Sequence, residues 1–207
     1  MQHVRIPDDR IGVLIGAGGE TMREIEEKAE VRLNIDSETG SVDPIAALNG
    51  PDIVRAIGRG FHPDDALTLL DNEMRMFDLV DIDAVTRNQN DLERKKGRLI
   101  GEDGRTRELM EELSGASVVI YGKTLGIIGS PKEVDVVRSA VDMIIDGAPH
   151  GAVYSYLERQ HNEMQQEGMG YHEFNDGGPA TPEDADIEFT VDSDPDNDSV
   201  EFEEPET

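Results

Sequence analysis

Two short glycine loops contain the residues of this sequence whose types and spacing could do chemistry. Gly16-Ala17-Gly18-Gly19 (the first loop) and Gly101-Glu102-Asp103-Gly104 (the second loop) each follow an isoleucine and precede a helical pattern. Glycine allows a tight turn and has no side chain that would hold a phosphate away, and the free N–H groups at a helix start attract anions. The loops therefore predict contact with the phosphates of a nucleic acid.

The two loops belong to an internal repeat with an offset of 85 residues. Without gaps, the same offset pairs Leu14 with Leu99, Glu26-Glu27 with Glu111-Glu112, and Ile35 with Ile120. A repeat of this length predicts two modules of one fold. In each copy the loop is followed by an amphipathic helix and a strand, an order that resembles the KH domain. In KH domains a Gly-x-x-Gly loop clamps the backbone of single-stranded RNA.

Hydrophobic periodicity predicts the elements that must position these loops. In the first module we expect strands at 3–6 and 31–35, a turn at 37–40, and helices at 10–15, 20–29, through 53–57 and from Pro63. In the second module we expect strands at 74–82, 117–121 and 125–128, and helices at 91–100, 106–113, from Pro131 to before Gly147, and at 154–164. The predicted fold is α+β, with two tandem KH domains at 1–72 and 73–167, each a three-stranded sheet packed with helices.

Two helix starts in the second module have recognisable caps. Asn90 is expected to cap the basic helix before the second loop. Ser130, with Pro131 next and Glu133 three residues on, predicts a capping box. The apolar stripe of that helix is expected to face the core through Val134, Val137, Val141 and Ile144.

Basic side chains flank both loops and are candidate phosphate contacts. Seven of them fall within the 30 positions from Arg94 to Lys123. A groove floored by Ile15, Ile25 and Leu33 is expected to hold the bases. We predict an RNA-binding site formed by Arg10, Ile15, Gly16, Ala17, Gly18, Gly19, Arg23, Lys95, Lys96, Arg98, Gly101, Glu102, Asp103, Gly104, Arg105, Arg107 and Lys123.

The second loop carries an internal conflict. Glu102 and Asp103 place two carboxylates where a phosphate would bind, so the first loop is predicted to be the one open to phosphate binding. One alternative is that the basic residues form a solvated helix face, with i,i+4 pairs to Glu111 and Glu112. Another is that both loops are plain corners between helices, at which glycine ends a helix.

An enzymatic alternative is weaker. The first loop and Asp36 resemble a dinucleotide-binding fingerprint with its ribose-binding acid. The third fingerprint glycine should fall at Thr21, and the second copy has Asp103 and Tyr121 at the required glycine and acid. The five histidines lack metal-ligand spacing, so we expect no enzyme, no metal and no cofactor.

Charge sets the expected environment. The formal net charge is −27, and 14 of the 46 acids lie from Glu173 onward. Low Lys, absent Cys and excess acid predict a halophile, because at about 1 M salt the Debye length of ~3 Å screens acids from phosphates. Residues 168–207 are predicted to be a disordered, solubilising acidic tail. The alternative is a segment that competes with RNA for the basic face or docks a basic ribosomal protein.

Compartment is predicted from what the sequence lacks. The start has no apolar leader, no segment has the length of a membrane span, and absent Cys excludes disulfides and thiolate metal sites. We therefore expect a cytoplasmic protein without membrane contact.

Three further stretches resemble the archaeal family of two-KH small-subunit ribosome-assembly proteins, related to the eukaryotic Partner-of-Nob proteins. They are Asp52-Ile53-Val54-Arg55-Ala56-Ile57-Gly58-Arg59-Gly60-Phe61, Tyr121-Gly122-Lys123-Thr124 and Gly147-Ala148-Pro149-His150-Gly151. The resemblance implies binding near the 3′ end of precursor small-subunit rRNA. It also implies partnership with a PIN-domain rRNA endonuclease and with the alpha subunit of translation initiation factor 2. The second loop of such relatives is usually basic, so Glu102 and Asp103 depart from the pattern.

Two other functions remain open from the sequence. The chain could be a KH protein that acts on mRNA or in RNA decay. It could also be an adaptor whose protein contacts matter more than RNA.

Overall fold

The first module is built on a three-stranded antiparallel sheet with the strand order β1-β3-β2. The computed structural model describes residues 4–36, 41–45 and 50–175, so the predicted turn at 37–40 and residues 176–207 lie outside the described residues. The elements of this module are β1 (Val4–Arg5), α1 (Asp8–Ile15), α2 (Glu20–Lys28), β2 (Arg32–Asp36), β3 (Ser41–Ile45), α3 (Gly50–Gly58) and α4 (Pro63–Leu67).

The second module repeats this order around a sheet with the strand order β4-β6-β5. Its elements are β4 (Met76–Asp81), α5 (Gln89–Ile100), α6 (Arg105–Ser114), β5 (Ser117–Tyr121), β6 (Thr124–Gly129), α7 (Pro131–Ile145) and α8 (His150–Asn175). The internal repeat is therefore a structural repeat of strand, two helices, two strands and a helix, to which α8 is added.

Each sheet has its own hydrophobic core. In the first module, α1, α2 and α3 bury Leu14, Ile25 and Ile57. In the second, the predicted stripe of α7 is buried against α5, α6 and one face of the sheet. The capping box is confirmed, since the Ser130 hydroxyl accepts from the Glu133 N–H while the Glu133 carboxylate accepts from the Ser130 N–H at 2.8 Å.

The two modules are joined at the end of α3. Phe61 lies edge-on to Phe77 with ring centroids 6.1 Å apart, and Gly126 allows this approach because a Cβ there would lie 2.7 Å from the Phe61 ring. Gly60, with φ of +103°, packs against Tyr121. Phe61 and its neighbours thus cover the outer face of the second sheet, and Met1–Glu167 form one compact unit.

Three predictions about elements were wrong or incomplete. The sequence did not reveal β3, the middle strand of the first sheet. The cap of α5 is Asn88, whose side chain accepts from the Asp91 N–H at 3.0 Å, and not Asn90. Helix α8 begins before Tyr154 and continues to Asn175, which places its last turns inside the segment predicted as tail from residue 168.

Candidate nucleic-acid interface

The first and second loops have the same backbone conformation. Each is a single 3₁₀ turn between two helices, opened by a glycine at φ, ψ of 74°, 178° in the first loop and 78°, 178° in the second. At the third position, Gly18 (61°, 18°) and Asp103 (50°, 27°) are both left-handed. The repeat therefore preserves the shape of the corner even where an aspartate replaces a glycine.

The opening glycine of each loop is required by packing. A Cβ on Gly16 would lie 2.2 Å from Thr21 Oγ1, and a Cβ on Gly101 would lie 2.3 Å from Thr106 Oγ1. The positive φ of both residues adds strain for any other side chain. These two glycines are therefore fold requirements, whatever the loops bind.

The middle positions of the loops face solvent and differ in charge. Ala17 and Gly18 are exposed in the first loop, as are Glu102 and Asp103 in the second. The Arg23 guanidinium reaches over the end of the first loop, since a Cβ on Gly19 would lie 3.7 Å from Arg23 Nη2. The loops thus offer one backbone shape with opposite electrostatics.

Lys95 and Arg98, which precede the second loop in the sequence, donate hydrogen bonds to backbone carbonyls within the protein. Lys95 is buried and donates from Nζ to the Val85 carbonyl at 2.6 Å. Arg98 donates to the carbonyls of Ile144, at 2.7 Å, and of Ala148. Their charges stabilise backbone carbonyls across the second module and are not presented to the loop surface.

The remaining cations around the second loop are paired with carboxylates. Arg107 Nη1 lies 2.7 Å from Glu111, and Arg105 Nη1 lies 3.7 Å from Glu108 and 4.0 Å from Glu112. The Arg107–Glu111 contact is the i,i+4 pair that the helix-face alternative predicted, whereas Arg105 contacts Glu108 at i,i+3 and Glu112 at i,i+7. Lys96 lies 3.7 Å from Glu93, and Lys123 lies 2.9 Å from Asp83, a hydrogen bond that raises the pKa of the Lys123 ammonium.

Arg10 of the first module has a similar internal role. Its guanidinium donates to the carbonyls of Ile57, at 2.8 Å, and Phe61, at 2.6 Å, and lies 5.8 Å from the Tyr121 ring centroid. Arg23 differs from it, because it is exposed and has no hydrogen-bond or ion-pair partner among the residues that the structure describes. Of the predicted cations, Arg23 is therefore the one without a partner among the residues that the structure describes.

The repeated glutamates were recognised in the sequence without a role. Glu26 accepts a hydrogen bond from the Leu33 N–H at 2.9 Å, and Glu111 accepts one from the Val118 N–H at 2.9 Å. In both modules a carboxylate on the second helix thus fixes the following strand. The sequence signal for this role was the matched position of the two glutamates in the repeat. The physical reason for the role is that a part-buried N–H group of the strand needs an acceptor.

The predicted floor of the groove is only partly correct. Ile25 and Leu33 are buried in the core, so they cannot contact bases. Ile15, Met22 and Ile35 are half-buried and pack against that core from its rim. The apolar surface available beside the first loop is therefore formed by Ile15, Met22 and Ile35.

The final helix braces the second loop, a role that the sequence did not reveal. Tyr154 Oη lies 2.9 Å from Thr106 Oγ1, and His150 Nε2 lies 2.9 Å from the Arg98 carbonyl oxygen. His150 belongs to the third resembling stretch, whose structural role is thus to anchor α8 beside the second loop.

The described residues contain neither a cluster of three potential metal ligands nor a helix with the length and apolarity of a membrane span. The first loop and its rim present backbone N–H groups, the Arg23 guanidinium and small apolar surfaces, and the second loop presents the Glu102 and Asp103 carboxylates. Groups of the kind at the first loop bind single-stranded nucleic acid by phosphate contact and base packing.

A sheet of three strands with a Gly-x-x-Gly turn between two helices defines each module as a KH domain. Residues 1–61 match the KH domain family, and residues 76–162 match the family described as eukaryotic type KH-domain (KH-domain type I). Two separate matches in one chain agree with the two structural repeats.

Individual relatives extend the match. The KH domain-containing protein MJ0443 of Methanocaldococcus jannaschii is 40% identical over 171 residues, which cover 78% of this chain and 74% of that protein. The pre-rRNA-processing protein pno1 of Emericella nidulans is 35% identical over 149 residues, 67% of this chain and 57% of that protein's length. The crystal structure of the a/eIF2alpha-aDim2p-rRNA complex from Pyrococcus horikoshii OT3 matches with 44% identity and a TM-score of 0.72, over 78% of this chain and 94% of that one. The chain belongs to the family of KH domain-containing proteins, and over 67% of its length it is similar to a pre-rRNA-processing protein.

Proposed function

We propose that this chain is a non-catalytic RNA-binding factor that assists maturation of the small ribosomal subunit by binding near the 3′ end of precursor rRNA. The observation that carries the proposal is the first loop, an exposed turn free of carboxylates beneath the exposed Arg23 guanidinium. Similarity to a pre-rRNA-processing protein and to a chain in an rRNA complex supports the choice of RNA.

The first loop has the chemistry that a phosphodiester requires. The amides at the start of α2 follow two glycines in left-handed conformations, and the first residue of α2, Glu20, is exposed. The helix dipole favours an anion at this end, and Arg23 adds a full positive charge. Bases beyond the phosphate would pack on the half-buried rim of Ile15, Met22 and Ile35.

Partners follow from the same proposal. The complex of the similar chain with a/eIF2alpha supports the alpha subunit of initiation factor 2 as a protein partner. A PIN-domain endonuclease that trims the rRNA end is the nuclease that such a factor would serve. We further infer cytoplasmic action at high salt, in keeping with the net charge of −27.

Binding of the full chain to two RNAs of equal length tests the proposal. One RNA carries the 3′-terminal small-subunit sequence and the other carries the same nucleotides in scrambled order. We expect preference for the first RNA across a KCl titration from about 0.1 to 1 M, because base contacts survive screening better than phosphate contacts do. Equal affinity for both RNAs at every salt concentration would contradict a specific rRNA role.

Crosslinking in cells separates this function from action on mRNA. Crosslinks should concentrate near the small-subunit rRNA end. If they scatter over mRNAs instead and avoid that end, the mRNA and RNA-decay alternative is correct.

A further inference from the structure

A polar groove lies between the two modules, away in sequence from both loops. It has a volume of about 400 Å³ and is lined by β1, by α3 and Arg59 just beyond its end, and by β4. Strands β1 and β4 are each at the edge of a sheet, so the groove runs between two strand edges. Three arginines line it: Arg5, Arg55 and Arg59.

The groove is positively charged in an otherwise acidic protein. The two lining carboxylates are both engaged, Asp52 by Arg55 at 3.2 Å and Asp78 by Arg138 at 2.7 Å. The lining itself holds three arginines and two aspartates, and Arg138 engages Asp78 from outside the lining. Arg59 is half-buried and has no acidic partner among the residues that the structure describes.

We propose that this groove binds a phosphate-bearing nucleotide of the same RNA, outside the nucleotides held at the first loop. The proposal rests on the proposed function and adds a second contact to it. Guanidinium groups match phosphate oxygens in geometry as well as in charge, and Phe77 and Leu79 offer an apolar wall for sugar or base.

An acidic protein segment fits the groove less well. Strand addition at β1 is disfavoured because β1 has only two residues, although β4 offers an edge of six residues, so the comparison depends on the shape of the groove. A groove of about 400 Å³ is sized for a nucleotide.

RNA length provides the test. We compare a tetranucleotide, about the length that one KH loop clamps, with a strand of about 12 nucleotides. The variant Arg55→Gln/Arg59→Gln should bind the long RNA about tenfold more weakly and the tetranucleotide equally well. The salt slope for the long RNA should fall by about 0.7 for each phosphate that the variant no longer neutralises. Arg87→Gln/Arg159→Gln, with the same change in net charge at exposed positions, is the control.

A variant that is expected to bind RNA more tightly shows that a change of affinity is not caused by misfolding. Asp52→Asn removes the carboxylate opposite Arg55, so it should strengthen binding of the long RNA about threefold. Thermal unfolding of each variant is followed alongside.

The outcomes separate the two proposals. If the arginine variant equals its control and Asp52→Asn changes nothing, the groove assignment is overturned, while weaker binding by a first-loop variant would leave the proposed function standing. Absence of RNA binding by the unaltered chain would overturn both. If oligoglutamate binds in a manner that needs Arg55 and Arg59 while RNA does not, the occupant is an acidic protein segment and the RNA assignment is wrong.

Discussion

Exchange of the loop centres is the sharpest test of which loop holds phosphate. The variant Ala17→Glu/Gly18→Asp gives the first loop the central residues of the second. Asp103 already has the backbone conformation that Gly18 has, with φ of 50° and 61° respectively. A Cβ on Gly18 meets nothing within 4 Å, so the substitution is tolerated by the space around it.

The expected size of the effect follows from Coulomb's law. Two carboxylates about 5 Å from a phosphate in water each repel it by about 0.8 kcal/mol, or about 1.7 kcal/mol together. Screening reduces this to about 1 kcal/mol at 0.1 M salt, where the Debye length is about 10 Å, so affinity should fall by about fivefold there and by less than about twofold at 1 M. Gly18→Asp places an aspartate in the left-handed conformation and should therefore lower the free energy of unfolding by about 1 kcal/mol.

Fluorescence anisotropy with a labelled rRNA 3′ fragment measures the affinity, and thermal unfolding measures the stability. The matched control is Ser139→Asp/Ser155→Glu, which adds the same two charges at exposed helical positions of the second module. If the loop variant binds RNA like its control at 0.1 M salt, the first loop does not bind phosphate, and the argument that its lack of carboxylates favours RNA binding is wrong.

Three more predictions use the same contacts. Glu102→Ala/Asp103→Gly should raise RNA affinity several-fold at low salt, measured by anisotropy; unchanged binding would mean that the second loop lies away from RNA. Gly101→Ala should cost about 2–4 kcal/mol of unfolding free energy, against about 1 kcal/mol for Gly104→Ala, because only the first meets Thr106; equal losses would refute the packing argument. The hydrogen bond that the Tyr121 hydroxyl donates to the Asp9 carboxylate raises the pKa of Tyr121 above its usual 10.0. This bond therefore stabilises the folded protein below pH 10, and the stabilisation is lost as pH rises through the folded-state pKa of Tyr121. Tyr121→Phe should remove that pH dependence from thermal unfolding as pH rises above 10, and an unchanged profile would exclude the bond as its source.

The corners and their flanking helices could be predicted because their signals are local. Glycine, apolar spacing and a capping box act within a few residues, and they predicted α1, α2, α6 and α7 correctly. The repeat doubled every such signal. It therefore predicted two modules more firmly than either copy could alone.

The missed strand has a physical reason. β3 contains Pro44, and proline in a run normally argues against a strand inside a sheet. In the structure, β1 pairs only with Ser41 and Val42, so β3 has one neighbour at Pro44 and the missing N–H is tolerated as at an edge. Such an exception depends on the length of another strand, which local sequence does not specify.

Which of the basic side chains have partners in the folded protein could not be predicted, for a different reason. Arg10 and Arg98 find their carbonyl partners 46 to 51 residues away in sequence. A basic cluster in a sequence counts charges, whereas binding depends on which charges remain without partners after folding. Around the second loop the fold and neighbouring carboxylates engage nearly all of the predicted cations.

Likeness and difference between the two loops therefore have separate causes. The positions that match across the repeat, Gly16 with Gly101 and Glu26 with Glu111, are those whose atoms are fixed by packing or by a backbone donor. The central positions that differ, Ala17 and Gly18 against Glu102 and Asp103, are exposed. Because the corner has one shape in both copies, shape cannot decide which loop binds RNA. Only the charges at exposed positions can, and they favour the first loop.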